Sequence, residues 1–89
     1  MDTRKLIALN LRRLRVERGL SQENLAVDAD IDRTYVSRLE RNRENPTVTV
    51  LERLALALGV EIVEFFSKID PSAPPPRPLR SGRKAKAAK

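Results

Sequence analysis

The chain has 89 residues, enough for one domain with a small core and no deep substrate pocket. It contains neither cysteine nor histidine, which excludes disulfides and thiol chemistry and removes the commonest metal ligand and the commonest general base. The net charge is +6, yet residues 1–70 carry twelve Lys/Arg and twelve Asp/Glu, so the whole excess lies in Arg77, Arg80, Arg83, Lys84, Lys86 and Lys89. Net charge therefore gives no argument about the folded part, and any argument must rest on where its charges sit. No apolar run approaches the roughly 20 residues needed to span a bilayer. The N-terminus, with only Leu6 to Leu9 as an apolar run, does not read as a signal peptide, so a cytoplasmic address is expected.

The first segment is helical: Ile7, Leu11 and Leu14 recur at i, i+4, i+7, with Arg12, Arg13 and Arg18 on other faces. Gly19 ends it in the manner of a C′ glycine. Ser21 is the expected N-cap of a short second helix beginning Gln22-Glu23-Asn24-Leu25-Ala26 and stopping near Ala29-Asp30. Asp32 caps a third helix, Arg33 to about Asn42, with Val36 and Leu39 facing inward. Asn42 to Pro46 is a loop, because the residue before proline disfavours helix. Thr47 caps a fourth helix with Val50, Leu51, Leu54, Ala55 and Leu58 as its buried stripe, and Gly59 closes it. A fifth helix spans about Glu61 to Lys68, with Ile62, Phe65 and Phe66 pointing inward. Residues 1–69 thus read as a compact all-α domain of five helices. Residues 70–89 hold five of the six prolines and then basic and small residues, and read as a disordered tail.

The chemistry concentrates between Leu20 and Pro46. Two short helices joined by Asp30-Ile31 have the dimensions of a helix-turn-helix, whose second helix enters the DNA major groove. Its outward positions include Arg33, Thr34, Ser37 and Arg38. Arginine pairs bidentately with guanine, and the hydroxyls can bond base edges or meet a thymine methyl. The adjoining Arg41, Asn42, Arg43 and Asn45 suit phosphate oxygens, while Glu17, Glu52, Glu61, Glu64 and Asp70 lie on other segments.

These residues carry a resemblance. Leu11-Arg12-Arg13-Leu14-Arg15, Arg18-Gly19-Leu20-Ser21-Gln22-Glu23-Asn24-Leu25-Ala26, Ile31 through Arg41, Asn45-Pro46-Thr47 and Leu54 through Val60 resemble the Cro/phage-repressor type helix-turn-helix, or XRE family, over about residues 6–67. Asp32 to Ser37 with Glu40-Arg41-Asn42 resembles, within that family, the restriction–modification controller proteins. The resemblance implies a lambda-repressor-like fold and a DNA-binding transcriptional regulator without catalysis or cofactor. It also implies that Gln22 holds a phosphate at the start of the second helix, and that Arg33, Thr34, Ser37 and Arg38 read bases. Tyr35 would contact the backbone or sense local distortion of the DNA, Arg41, Arg43 and Asn45 would clamp phosphates, and Arg15 and Glu40 would form a structural ion pair. Two positions depart from the family pattern: Asp30 and Asn42 stand where glycine is common. Aspartate tolerates the left-handed backbone better than most residues, so the turn survives at Asp30 with some strain, while Asn42 slightly weakens any close backbone–phosphate approach there.

Other features take plainer readings. Glu23, Asp28 and Asp32 are caps and solvated charges rather than a metal site. Leu9, Val16, Val27, Leu56 and Val63 do not fit the core stripe. Of these, Leu56 and Val63, beside Phe66, lie where the family often dimerises, and are expected to form a homodimer interface. The basic tail is either a DNA-tracking arm or a solubilising end. Two further functional readings stand beside the regulator: the antitoxin of a toxin–antitoxin pair, and a protein-interaction module on the same fold. No small-molecule ligand, membrane partner or metal is expected.

Overall fold

The computed structural model describes residues 2–69, so the expectations for the tail at 70–89 lie outside the described residues. Among the described residues there are four α-helices and no strand: α1 (Thr3–Glu17), α2 (Gln22–Ala29), α3 (Arg33–Glu40) and α4 (Val48–Leu58). A fifth α-helix is not formed. In its place stands a 3-10 helix, Ile62–Phe66.

The helix starts follow from short polar side chains. Asp2 accepts from the Lys5 amide at 2.8 Å, Ser21 from the Asn24 amide at 2.9 Å and Thr47 from the Val50 amide at 3.1 Å, each satisfying one donor that the first turn leaves without a partner. Asp32 occupies the same position before α3 but makes no side-chain capping bond.

All four α-helices end in the same way. In each, the amide of the residue in left-handed conformation bonds back three residues and the next amide bonds back five, the pattern of a Schellman motif: Gly19 and Leu20, Asp30 and Ile31, Asn42 and Arg43, Gly59 and Val60. Two of the four left-handed positions are therefore glycine, and the other two are Asp30 at φ 58° and Asn42 at φ 60°, side chains that visit this region more readily than most. The Asn42 turn also explains why α3 stops at Glu40, two residues before the expected end.

The core gathers Ile7, Leu11 and Leu14 of α1, Leu25, Ala26 and Ala29 of α2, Val36 and Leu39 of α3, Leu51, Leu54, Ala55 and Leu58 of α4, and Phe65. Val50 of the expected stripe is only half-buried and packs on its edge. Val16, expected off the core stripe, is instead buried. Phe66, expected to point inward, is 42% exposed. The 3-10 geometry gives the reason: at three residues per turn, i and i+3 eclipse, so Ile62 and Phe65 share the inner side while Val63 and Phe66 share the outer one. The α-helical period assumed from sequence would have put Ile62, Phe65 and Phe66 together.

Among the described residues one polar residue is buried as a whole. Asn10 of α1 is fully buried, and its Nδ2 donates to the backbone carbonyls of Phe65 and Ser67, both at 2.9 Å. Its Oδ1 accepts from Nε and Nη2 of Arg13. This side chain closes the backbone accounting of a segment too short to satisfy its own carbonyls, and so fastens the 3-10 helix to α1.

Candidate nucleic-acid interface

α2 and α3 pack against each other, α1 backs α3 and α4 backs α2. One side of α3, Val36 and Leu39, is in the core, and Glu40 is drawn in beside them. On the other side, Arg33 and Ser37 stand one turn apart, as do Thr34 and Arg38. Arg33, Thr34 and Arg38 are exposed and Ser37 is half-buried. At eight residues, α3 is about 12 Å long, close to the width of the B-form major groove.

The orientation of α3 is fixed by an ion pair whose acid is almost fully withdrawn from solvent. Arg15 Nε donates to Glu40 Oε2 at 2.6 Å and Nη2 to Oε1 at 3.1 Å, with side chains 12% and 3% exposed respectively. Arg15 Nη1 donates to the Leu20 carbonyl at 2.8 Å, and Gln22 Nε2 donates to Glu40 Oε1 at 3.0 Å. Two charges taken out of water repay that cost only when their remaining hydrogen-bonding capacity is met, and here it is met from three helices' worth of chain. The same geometry draws Gln22 inward, with one of its amide protons engaged on Glu40.

Past the end of α3 the chain stays basic. Arg41, Arg43 and Asn45 are exposed. Arg43 is informative because of its place in the Schellman motif. The equivalent residues after α1, α2 and α4 are Leu20, Ile31 and Val60, each packed against the core, whereas Arg43 projects outward. An arginine has replaced the aliphatic contact where the turn follows the exposed helix. Asn42 is half-buried, and its Oδ1 lies buried without a hydrogen-bond partner among the described residues. Arg33, Arg41 and Arg43 make no ion pair among the described residues, while Arg38 does. Its Nε lies 2.7 Å from Glu44 Oε2, and its Nη2 donates to the Arg43 carbonyl at 3.3 Å. Tyr35 is half-buried against the core, and its phenol is pushed above the usual tyrosine range by burial first and by the Glu44 charge second.

Sequence reasoning missed three participants. Glu44 lies only six residues past Arg38, but the contact depends on the turn at Asn42. Arg53 of α4 reaches across to donate to the Asp30 carbonyl at 3.3 Å, supporting the turn between α2 and α3. Asn10 carried a usable signal, since it is a polar residue three positions past Ile7 on the buried side of α1.

Away from this face, Leu56 is 84% and Val63 63% exposed, and with Phe66 they lie on α4 and the 3-10 helix packed beside it. Among the described residues no three acidic groups are placed to hold a metal ion, and no helix is long and apolar enough to cross a membrane.

Comparison with known proteins agrees with this geometry. The chain is 49% identical over 70 residues to an HTH-type transcriptional regulator, y4dJ, of Sinorhizobium fredii, covering 79% of this chain and 91% of that protein. It is 41% identical over 61 residues to the control protein C.MunI of a Mycoplasma species, covering 67% and 82%. Among solved structures, the restriction–modification controller protein C.AhdI of Aeromonas hydrophila superposes with a TM-score of 0.69 at 40% identity, over 71% of this chain and 96% of that one. The controller protein C.Esp1396I, solved as a tetramer in complex with its natural 35 base-pair operator, gives 0.69 at 36% identity over 74% and 87%. The helix-turn-helix family model matches residues 11–65, from the middle of α1 to the 3-10 helix, well over half the chain and every element that builds the exposed α3. With a family model matched over more than half of its length and relatives 41–49% identical, this chain belongs to the helix-turn-helix family.

Proposed function

We propose that this protein is a sequence-specific regulator of transcription that binds duplex DNA through α3 and acts as a dimer on an operator. The observation that carries the reading is that α3 shows Arg33, Thr34 and Arg38 to solvent while its other side is locked by Val36, Leu39 and the Arg15–Glu40 pair. A short rigid helix with guanidinium and hydroxyl groups outward has the size and donor set to read base edges. The relatives support it, being regulators and controller proteins, one of them captured on its operator. Its place of work would then be the cytoplasm, with the DNA it regulates.

In this reading Arg33, Thr34, Ser37 and Arg38 face the bases. Arg41, Arg43, Asn45, the Asn42 turn, Tyr35 and the start of α2 at Gln22 hold the backbone. A unit this small makes few base contacts, so pairing through Leu56, Val63 and Phe66 supplies affinity and sets two copies of α3 about one helical turn of DNA apart. Selection from a random duplex pool, followed by titration of the winning sequence at several salt concentrations, tests the proposal. Arg38→Ala should relax sequence preference, whereas Arg43→Ala should weaken cognate and random duplexes alike and flatten the salt dependence. Equal losses on both duplexes for both variants would refute this division of labour.

A further inference from the structure

On the face that the proposed function assigns to DNA, one carboxylate sits among the arginines and makes contact with one of them. Glu44 Oε2 is 2.7 Å from Arg38 Nε, and the Arg43 carbonyl takes Arg38 Nη2 at 3.3 Å. These two acceptors occupy the side of the guanidinium formed by Nε and Nη2. Its outer end, with Nη1 and the second Nη2 proton, has no partner among the described residues. That end is a parallel pair of donors, the arrangement that meets O6 and N7 of guanine. Glu44 itself is partly sheltered, its side chain 27% exposed against 47% for Arg38.

A carboxylate here is costly for simple phosphate attraction, because it cancels a cation and repels the DNA backbone. Glu40, at the end of α3, is already matched by the buried Arg15. Glu44 is not spent in that way, since its partner is a recognition arginine. What it gives in return is order: an unrestrained arginine at this exposed position samples many rotamers and reaches phosphates as readily as bases, whereas one held on its inner side presents its outer end in a set direction. The Glu44 charge also adds, after burial, to the upward push on the Tyr35 phenol, three residues before Arg38 on α3.

We propose that Glu44 is a positioning residue for sequence readout, which orients Arg38 toward a guanine edge and lowers affinity for non-cognate duplexes. The inference rests on the DNA-binding reading above and deepens it. Glu44→Gln keeps the shape and removes the charge. It should raise affinity for a random-sequence duplex by roughly two- to five-fold, since one repelling charge is gone. It should also lower discrimination at the base pair read by Arg38 by roughly five-fold or more, a part of the range that one good bidentate contact supplies.

The experiment takes the duplex that the wild-type chain selects from a random pool and a set of single-base-pair variants of it. Binding of all of them is measured for the wild type, Glu44→Gln, Arg38→Ala and the double variant, with thermal unfolding to confirm that each is folded. The expected result is that Glu44→Gln and Arg38→Ala relax preference at the same base pair, and that Glu44→Gln adds no further relaxation once Arg38 is alanine. A Glu44→Gln protein that discriminates as the wild type does, or that relaxes a different base pair, overturns the role of Glu44 while leaving DNA binding intact. A wild-type chain that selects no duplex overturns the functional reading itself, and the inference with it.

Discussion

Removing the Glu40 carboxylate is the sharpest test of how α3 is held. Glu40→Ala leaves Arg15 Nε and Nη2 and the Gln22 amide without their acceptor, in a site where the acid was 3% and the arginine 12% exposed. Breaking a buried pair from one side costs about 3–5 kcal/mol, because the surviving charge stays desolvated. The lower end applies here, since Arg15 Nη1 keeps the Leu20 carbonyl and the guanidinium retains a little solvent. A domain of this size has only about 3–10 kcal/mol of total stability, so the loss is a third of it or more. At about 4–8 °C per kcal/mol, a loss of about 3 kcal/mol lowers Tm by about 12–24 °C. Thermal unfolding followed by circular dichroism reads this directly. The control is the double variant Arg15→Met with Glu40→Met, which removes both charges and fills the space; it should recover most of the lost stability, as buried pairs exchanged for apolar groups commonly do. A Tm loss under about 4 °C for Glu40→Ala, or a double variant no better than the single one, would show that the bridge is not what seats α3.

Three further outcomes are expected. Asn10→Ala strands the Phe65 and Ser67 carbonyls, one of those bonds fully buried, and should cost about 1–3 kcal/mol in urea unfolding; a smaller loss would mean that the 3-10 helix is held by Phe65 alone. The Tyr35 phenol has its folded pKa raised above the unfolded 10.0, so its contribution to stability is intact below pH 10 and is lost as pH climbs through the raised folded value. Phenolate absorbance should titrate above 10 in the wild type and closer to it in Glu44→Gln; a shift that is unchanged in that variant leaves burial as its sole cause. Leu56→Glu combined with Val63→Glu places charge on exposed positions, so folding should persist while sedimentation shows a monomer and operator affinity falls more than ten-fold; an unaltered dimer would move the interface elsewhere.

Much of the fold can be read along the chain because its boundaries are written in local chemistry. Ser21 and Thr47 cap, Gly19 and Gly59 turn left-handed, and Asp30 and Asn42 do the same in place of glycine. The buried stripes of α1, α3 and α4 follow from the 3.6-residue period, with Val50 at the edge of the last. That same period misled at the C-terminal element, where Ile62-Val63-Glu64-Phe65-Phe66 winds at three residues per turn and turns Phe66 out. The outward arginines of α3 were visible from their register with Val36 and Leu39. Which acid Arg38 meets was not: it reaches Glu44 only because Asn42 reverses the chain between them. The Gln22–Glu40 contact across eighteen positions was equally unreadable, whereas the Arg15–Glu40 pair was expected from the resemblance alone. Side-chain pairing across a turn has no periodic signature, so the restraint on Arg38 emerges only from coordinates.

If the outer side of α3 lies in a major groove, guanine N7 methylation reads that contact directly, because N7 faces this groove alone. On the duplex selected by the wild-type chain, methylation of individual guanines should block binding at two clusters about 10–10.5 base pairs apart, one for each protomer's α3, and Arg38→Ala should become indifferent to at least one guanine in each. Binding that tolerates methylation at every guanine, with interference only from minor-groove adducts, would contradict the account.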